Sequence, residues 1–160
     1  MSEEKMFTLA EAHKSFAQGL NGQVWNLLQK PARSKAEDEV MLYSAYSSCY
    51  HWLKAGNGLH HQRAEWLISH VYAELGIGSE ALRHANRCFD LTNEFSSLMQ
   101  DFDWAYAYEA MARAYALLES KEEFLKYFHL AEQFGQAISN KEDKDIFTGD
   151  LNSGKWYGLR

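Results

Sequence analysis

Apolar residues recur at spacings of three and four along most of this chain, with polar residues between them. The pattern is clearest from Ala64 to Leu75, where Ala64, Leu67, Ile68, Val71, Tyr72 and Leu75 form one stripe. That period describes a helix and is incompatible with strand alternation. After Gly76-Ile77-Gly78, Ser79 can cap a second helix carrying Ala81, Leu82, Ala85, Cys88, Phe89 and Phe95. Gln62 to Phe95 therefore reads as a helix–turn–helix unit. Upstream, Thr8 with Glu11 has the form of a capping box and opens a helix to Gly19, with Leu9, Ala12, Phe16 and Leu20 as its stripe. Asn21-Gly22 is expected to break it, and a short helix follows from Gln23 to Gln29. Lys30-Pro31 ends that helix, since the residue before proline is pushed out of the α region.

Ser34, with Glu37 three residues on, caps a helix to about Ala55. Met41, Leu42, Ala45, Cys49, Trp52 and Leu53 lie on one face, and Val40, Tyr43, Tyr46 and Tyr50 on another. Two apolar faces predict a helix sandwiched between others. Beyond a joint at Ser96 to Asp101, Asp101 or Asp103 can cap a helix with the stripe Trp104, Ala107, Tyr108, Met111, Ala112, Tyr115 and Leu118. Ser120, with Glu123, caps the next, striped by Phe124, Tyr127, Phe128, Ala131, Phe134 and Ile138. Residues 141–160 read as a tail that begins charged and ends in Trp156, Tyr157 and Leu159. Packing of this aromatic end onto the bundle is favoured over association, because exposed aromatics at a terminus promote aggregation.

Residues 62–95 resemble a tetratricopeptide repeat, a family of paired antiparallel helices in about 34 residues with large and small residues at set places. Tyr72 matches the aromatic late in the first helix, Gly76 the turn glycine, Ala81 the small residue opening the second helix and Cys88 the later small position. Ile68 and Ser69 fall where the family has a large and then a small residue. A second unit fits residues 105–138, with Tyr108, Met111, Ala112 and Tyr115 in its first helix and Phe128 and Ala131 in its second. The departures are a missing proline after each second helix, Phe124 in place of a small residue, and a Tyr72-to-Tyr115 lag of 43 residues. The resemblance implies an all-α, antiparallel helix-hairpin stack of about seven or eight helices, wound as a right-handed superhelix within one domain, 1–160. A general helical bundle is the structural alternative.

Composition fits one soluble globular domain: 160 residues, 46% hydrophobic and 24% charged. A formal charge of -6 and no Lys/Arg cluster argue against nucleic acid as a partner. No apolar run approaches the ~20 residues a membrane helix needs. The start, MSEEKMFTLAEAHKSF, has no apolar core of a secretory signal. Cys49 and Cys88 are too few for a disulfide framework, so a reducing cytoplasm is the expected compartment and core packing the plain role of both thiols.

In the family, the first helix of each repeat lines a concave groove for a peptide or protein segment. By that resemblance, the candidate partner-binding residues lie off the apolar stripes: Arg63, Trp66, His70 and Glu74 in the first unit, and Tyr106, Glu109 and Arg113 in the second. Aromatics would supply rigid contact area, and arginine a fork for a carboxylate. The competing reading is a solvated helix face with local pairs such as Glu109–Arg113. The seven histidines raise a metal hypothesis, yet His60-His61 with Glu65, His84 with Cys88, and Cys49 with His51 show pairs only. No phosphate loop appears; Gly149 to Lys155 lacks the spacing and the hydroxyl after lysine. No nucleophile elbow appears either. His51, His70, Glu65 and Glu109 could serve as acid and base only in a shared pocket. The expectation is thus a non-catalytic binding module without cofactor or metal, its partner another protein or peptide. A homodimerisation module, and a small-molecule or metal-dependent enzyme using the histidines, are the alternatives.

Overall fold

A computed structural model describes all 160 residues as seven α-helices and no strand. They are α1 (Leu9–Leu28), α2 (Lys35–Ala55), α3 (Gly58–Glu74), α4 (Gly78–Glu94), α5 (Asp101–Leu117), α6 (Lys121–Gln136) and α7 (Lys141–Leu151), with one 3-10 turn at Ser96–Leu98. Short connections fold α1 on α2, α3 on α4 and α5 on α6, giving three hairpins stacked in chain order with α7 against α5 and α6. The all-α hairpin stack is therefore observed, and the helix number lies within the expected range. It is reached differently, because two expected helices merge and one arises in the tail.

The merger is α1, which runs unbroken through Asn21-Gly22. A glycine inside a helix costs only about 1 kcal/mol. Burial of Ala17 on one side of the break and Val24 on the other outweighs that cost. Leu9 and Phe16, expected on the buried stripe, are 76% and 58% exposed. α2 corrects a second expectation. Met41, Ala45 and Cys49 are buried, but Val40, Tyr43 and Tyr50 on its other face are exposed.

α7 is capped by Asn140, whose side chain accepts from the Asp143 N–H. Phe147 and Leu151, one turn apart, are its buried anchors. Three apolar residues in eleven, Ile146, Phe147 and Leu151, gave too weak a period to show among so many charges. Capping also departs from expectation elsewhere. Asp103 lies inside α5 and accepts from the Gln100 N–H at 2.9 Å, while Asp101 accepts from Ser139, tying the start of α5 to the α6–α7 joint. Ser79 gives α4 no side-chain cap.

Small residues set the spacing of the stack. Ala105, Ala107, Ala112, Ala114 and Ala116 of α5 are fully buried, which lets neighbouring backbones approach closely. Two serines fasten hairpin elements through carbonyls: Ser48 Oγ donates to Ala17 O, and Ser69 Oγ to Ala81 O, each at 2.8 Å. The turns after α3 and α5 share one hydrogen-bond pattern. Ile77 N–H donates to Tyr72 O and Ser120 N–H to Tyr115 O, both at 3.0 Å. Such a cap requires a left-handed residue, supplied by Gly76 (φ 78°) in one turn and by Glu119 (φ 59°) in the other.

Candidate functional site

The faces of α3 and α5 that carry the seven candidate residues look into one concavity. It consists of two adjoining clefts, about 350 and about 470 Å³, which share Trp25 of α1, Trp66 of α3 and Asp150 of α7 as walls. Trp66, His70, Glu74, Glu109 and Arg113 border the first cleft. Arg63, Trp66 and Tyr106 border the second. Spacings of three and four on each helix put these side chains on one face, and hairpin stacking sets the two faces side by side.

Trp66 divides the clefts. It stacks on His70 (centroids 4.9 Å apart, planes 13° apart) and on Trp25 (6.0 Å, 21°), and meets Tyr106 edge-on at 5.3 Å. Its Nε1–H donates to Glu109 Oε2 at 3.1 Å, which fixes the indole's rotation. Trp25 lies beyond the expected break in α1, and the continuous helix is what carries it here. Ile146 of α7, half-exposed, completes the apolar lip of the second cleft. Neither was identified in the sequence. Trp25 lies off the stripe of its segment, and Ile146 sits in a charged run.

Each charge in the concavity has a partner. Arg63 donates to both Asp103 carboxylate oxygens, at 2.9 and 3.1 Å, with its guanidinium 5.1 Å from the Phe102 ring. Glu74 pairs with Arg33 at 3.3 Å and Lys155 at 3.2 Å. Tyr106 donates to Asp150, and burial together with that carboxylate pushes the phenol pKa up. His70 is held by its two indole neighbours, and its pKa lies below the ordinary histidine value. Desolvation is the main cause, and the opposing pull of Glu109 does not cancel it. Gln62, on the wall of the second cleft, donates to Thr92 at 3.0 Å, while its buried amide oxygen has no hydrogen-bond partner.

Arg113 differs most from expectation. Rather than standing open to fork a carboxylate, it is 6% exposed and sealed beneath the C-terminal segment. It pairs with Glu109 and donates to the carbonyls of Asp150 (2.8 Å), Ser153 (3.1 Å) and Lys155 (3.2 Å). Glu109, only 1% exposed, is likewise interior. The reason is the chain end, which folds back over α5. Trp156 is buried among Phe124, Phe128 and the Arg113 guanidinium, and the Tyr157 hydroxyl donates to Ala73 O. The aromatic end thus packs on its own bundle.

The four acid–base candidates do not share a pocket. His70 and Glu109 border one cleft, but His51 meets His13 at 2.8 Å between α1 and α2, and Glu65 lies against His84. Both cysteines are free and buried. Burial, reinforced by Glu65, pushes the Cys49 thiol up to about 12, and burial also pushes the Cys88 thiol up. No helix is long and apolar enough to cross a membrane. No family model, no curated protein and no solved structure matches the chain.

Proposed function

We propose that this chain is a non-catalytic binding module that takes an extended segment of another protein into the cleft around Trp66. The observation that carries this reading is the aromatic wall of Trp25, Trp66 and Tyr106 facing Ile146 across the second, more apolar cleft. Rigid indole and phenol rings give large contact area at little entropic cost, and such residues dominate binding energies at interfaces. A bound segment would place an apolar or aromatic anchor against these rings. Its backbone carbonyls would accept from the exposed edge of the Arg63 guanidinium, which Asp103 holds in place. Arg113 supports the wall from beneath rather than touching the partner. The tetratricopeptide-like pattern agrees with this use of the first helix of each hairpin, and a cytoplasmic setting agrees with the free thiols.

The test is selection of peptides from a displayed random library on the full chain. Enriched peptides should share an apolar or aromatic anchor and should bind Ile146→Asp at least about tenfold more weakly. Ile146 is half-exposed, so this change leaves the core intact. Leu125→Asp, on the outer surface of α6, should bind like wild type. No enrichment, or equal binding to both variants, overturns the reading.

A second reading has its own support. Val40, Tyr43 and Tyr50 of α2 are each 43–60% exposed on one face of the first hairpin. Terminal units of helical stacks ordinarily present a polar outer face. Self-association through this side would cover it and would appear as a dimer in light scattering, reverting to monomer in Tyr43→Lys. A monomer at high concentration excludes it.

A further inference from the structure

A polar cluster between α2, α3 and α4 lies apart from the cleft. Cys49 of α2 and His61 and Glu65 of α3 bring a thiol sulfur, an imidazole nitrogen and a carboxylate oxygen within 4.8 Å of one another. His61 and Glu65 are one helical turn apart and rise from the same face. His61 Nε2 stands 3.5 Å from Glu65 Oε1. His84 of α4 stands behind the carboxylate, with Nδ1 2.5 Å from Glu65 Oε2. Its Nε2 is 2.9 Å from the Tyr46 hydroxyl, which is 2.9 Å from that of Tyr72.

We propose that Cys49, His61 and Glu65 form a binding site for a divalent first-row transition metal, with Zn²⁺ the best match to the donors. Sulfur, imidazole and carboxylate together are the donor types zinc takes, whereas magnesium and calcium select oxygen alone. Tetrahedral bonds of about 2.0–2.3 Å set neighbouring donors about 3.3–3.8 Å apart. The His61–Glu65 pair already has that separation, at 3.5 Å. The Cys49 sulfur lies within 4.8 Å of both donors, and an ion bound there would draw it inward.

The surroundings fit as well. A carboxylate ligand is ordinarily oriented by a hydrogen bond to its other oxygen, and His84 supplies one, itself positioned by Tyr46. A polar depression of about 360 Å³, bordered by Glu65, Arg83, His84 and Arg87, opens to solvent on the Glu65–His84 side of the cluster. The sulfur binds as thiolate, so the incoming cation replaces its proton and binding releases one proton per site. The bound ion would clip α2 to α3, joining the first hairpin to the second. Without metal, the same residues amount to a carboxylate held between two imidazoles.

The experiment titrates chelator-stripped full chain with Co²⁺, whose thiolate complexes absorb strongly in the near ultraviolet. One equivalent should raise that band, and Zn²⁺ should bleach it. The band should vanish in Cys49→Ser and persist in Cys88→Ser. His61→Gln should weaken Co²⁺ binding at least about tenfold, and His84→Gln about 10–100-fold, the usual loss when a ligand's supporting residue is removed. His61 is half-buried, so His61→Gln tests the site even if Cys49→Ser does not fold. Zn²⁺ should also raise the Tm of wild type and leave His61→Gln unchanged. Absence of a thiolate band, its survival in Cys49→Ser, or a Co²⁺ affinity unaltered by His61→Gln overturns the proposal.

Discussion

The Arg113 guanidinium lies 4.1 Å from the centre of the Trp156 ring, sandwiched between the chain end and the Glu109 carboxylate. One buried cation thus joins α5, α7 and the terminal segment, and it meets its charge partner and three backbone carbonyls at once. Removing one member of such a pair leaves a buried charge without its counter-charge, at a cost of about 3–5 kcal/mol. Arg113→Met should lower stability by that amount in urea unfolding. Adding Glu109→Gln should recover part of the loss. Strict additivity of the two changes would show that the residues are not coupled.

The equivalent turns after α3 and α5 predict opposite responses to glycine chemistry. Glu119 holds φ at 59°, a region that costs a side-chain-bearing residue about 1 kcal/mol or more. Glu119→Gly should therefore stabilise by about 0.5–1 kcal/mol. Gly76→Ala should destabilise by about 1 kcal/mol, because Gly76 sits at φ 78°. Thermal unfolding of both variants checks the pair, and a shift of the same sign in both would be incompatible with the shared cap.

Gly135 inverts the ordinary helix rule. Gly→Ala inside a helix normally stabilises by about 1 kcal/mol. A Cβ at Gly135, however, would overlap the ring of Phe147, the main anchor of α7. Phe147 is 1% exposed, and moving its ring disturbs the packing that holds α7. Gly135→Ala should destabilise and speed amide exchange in α7, as followed by hydrogen–deuterium exchange. Stabilisation would mean that α7 does not dock in this register.

His70 makes stability depend on mild acid. Its pKa in the folded chain lies below 6.5, chiefly through desolvation, so the unfolded chain binds the proton first as pH falls. Stability is fully present above about pH 6.5 and declines as pH drops through it, by at most about 1.4 kcal/mol per pH unit for one group. His60, also shifted down by burial, acts in the same direction. The lowered carboxylates Glu37, Glu80 and Asp101 start from 4.5, 4.5 and 3.8 and act at lower pH. Urea midpoints measured from pH 7 to 5 should fall less steeply in His70→Gln than in wild type. Identical slopes would remove His70 as the cause.

Much of this was legible in the residues, and the exceptions share a cause. The α3 stripe from Ala64 to Tyr72 is buried as its spacing implied. The capping boxes at Thr8 and Ser34 form as read. These are local properties, carried by neighbours within one or two turns. The Asn21-Gly22 break failed because it weighed a local cost against a packing gain on either side. Arg113 on α5 was misread for a similar reason. Its spacing placed it correctly on the face with Tyr106 and Glu109, but its burial depends on Asp150, Ser153 and Lys155, roughly forty residues away.

The sequence by itself determined most of the helices, the hairpins of α3 with α4 and α5 with α6, and the residues that share each helix face. Helical period and turn chemistry act over a few residues, and adjacent helices joined by short turns can only fold back on one another. The tertiary structure alone decided which faces meet. It brought Trp25 to Trp66, closed the chain end over Arg113, and set Cys49 of one hairpin beside His61 and Glu65 of the next. Those encounters join side chains far apart in the chain, through the angle and spacing at which one hairpin settles on another. That geometry is fixed by the summed packing of many small side chains, and no single stretch of sequence contains it.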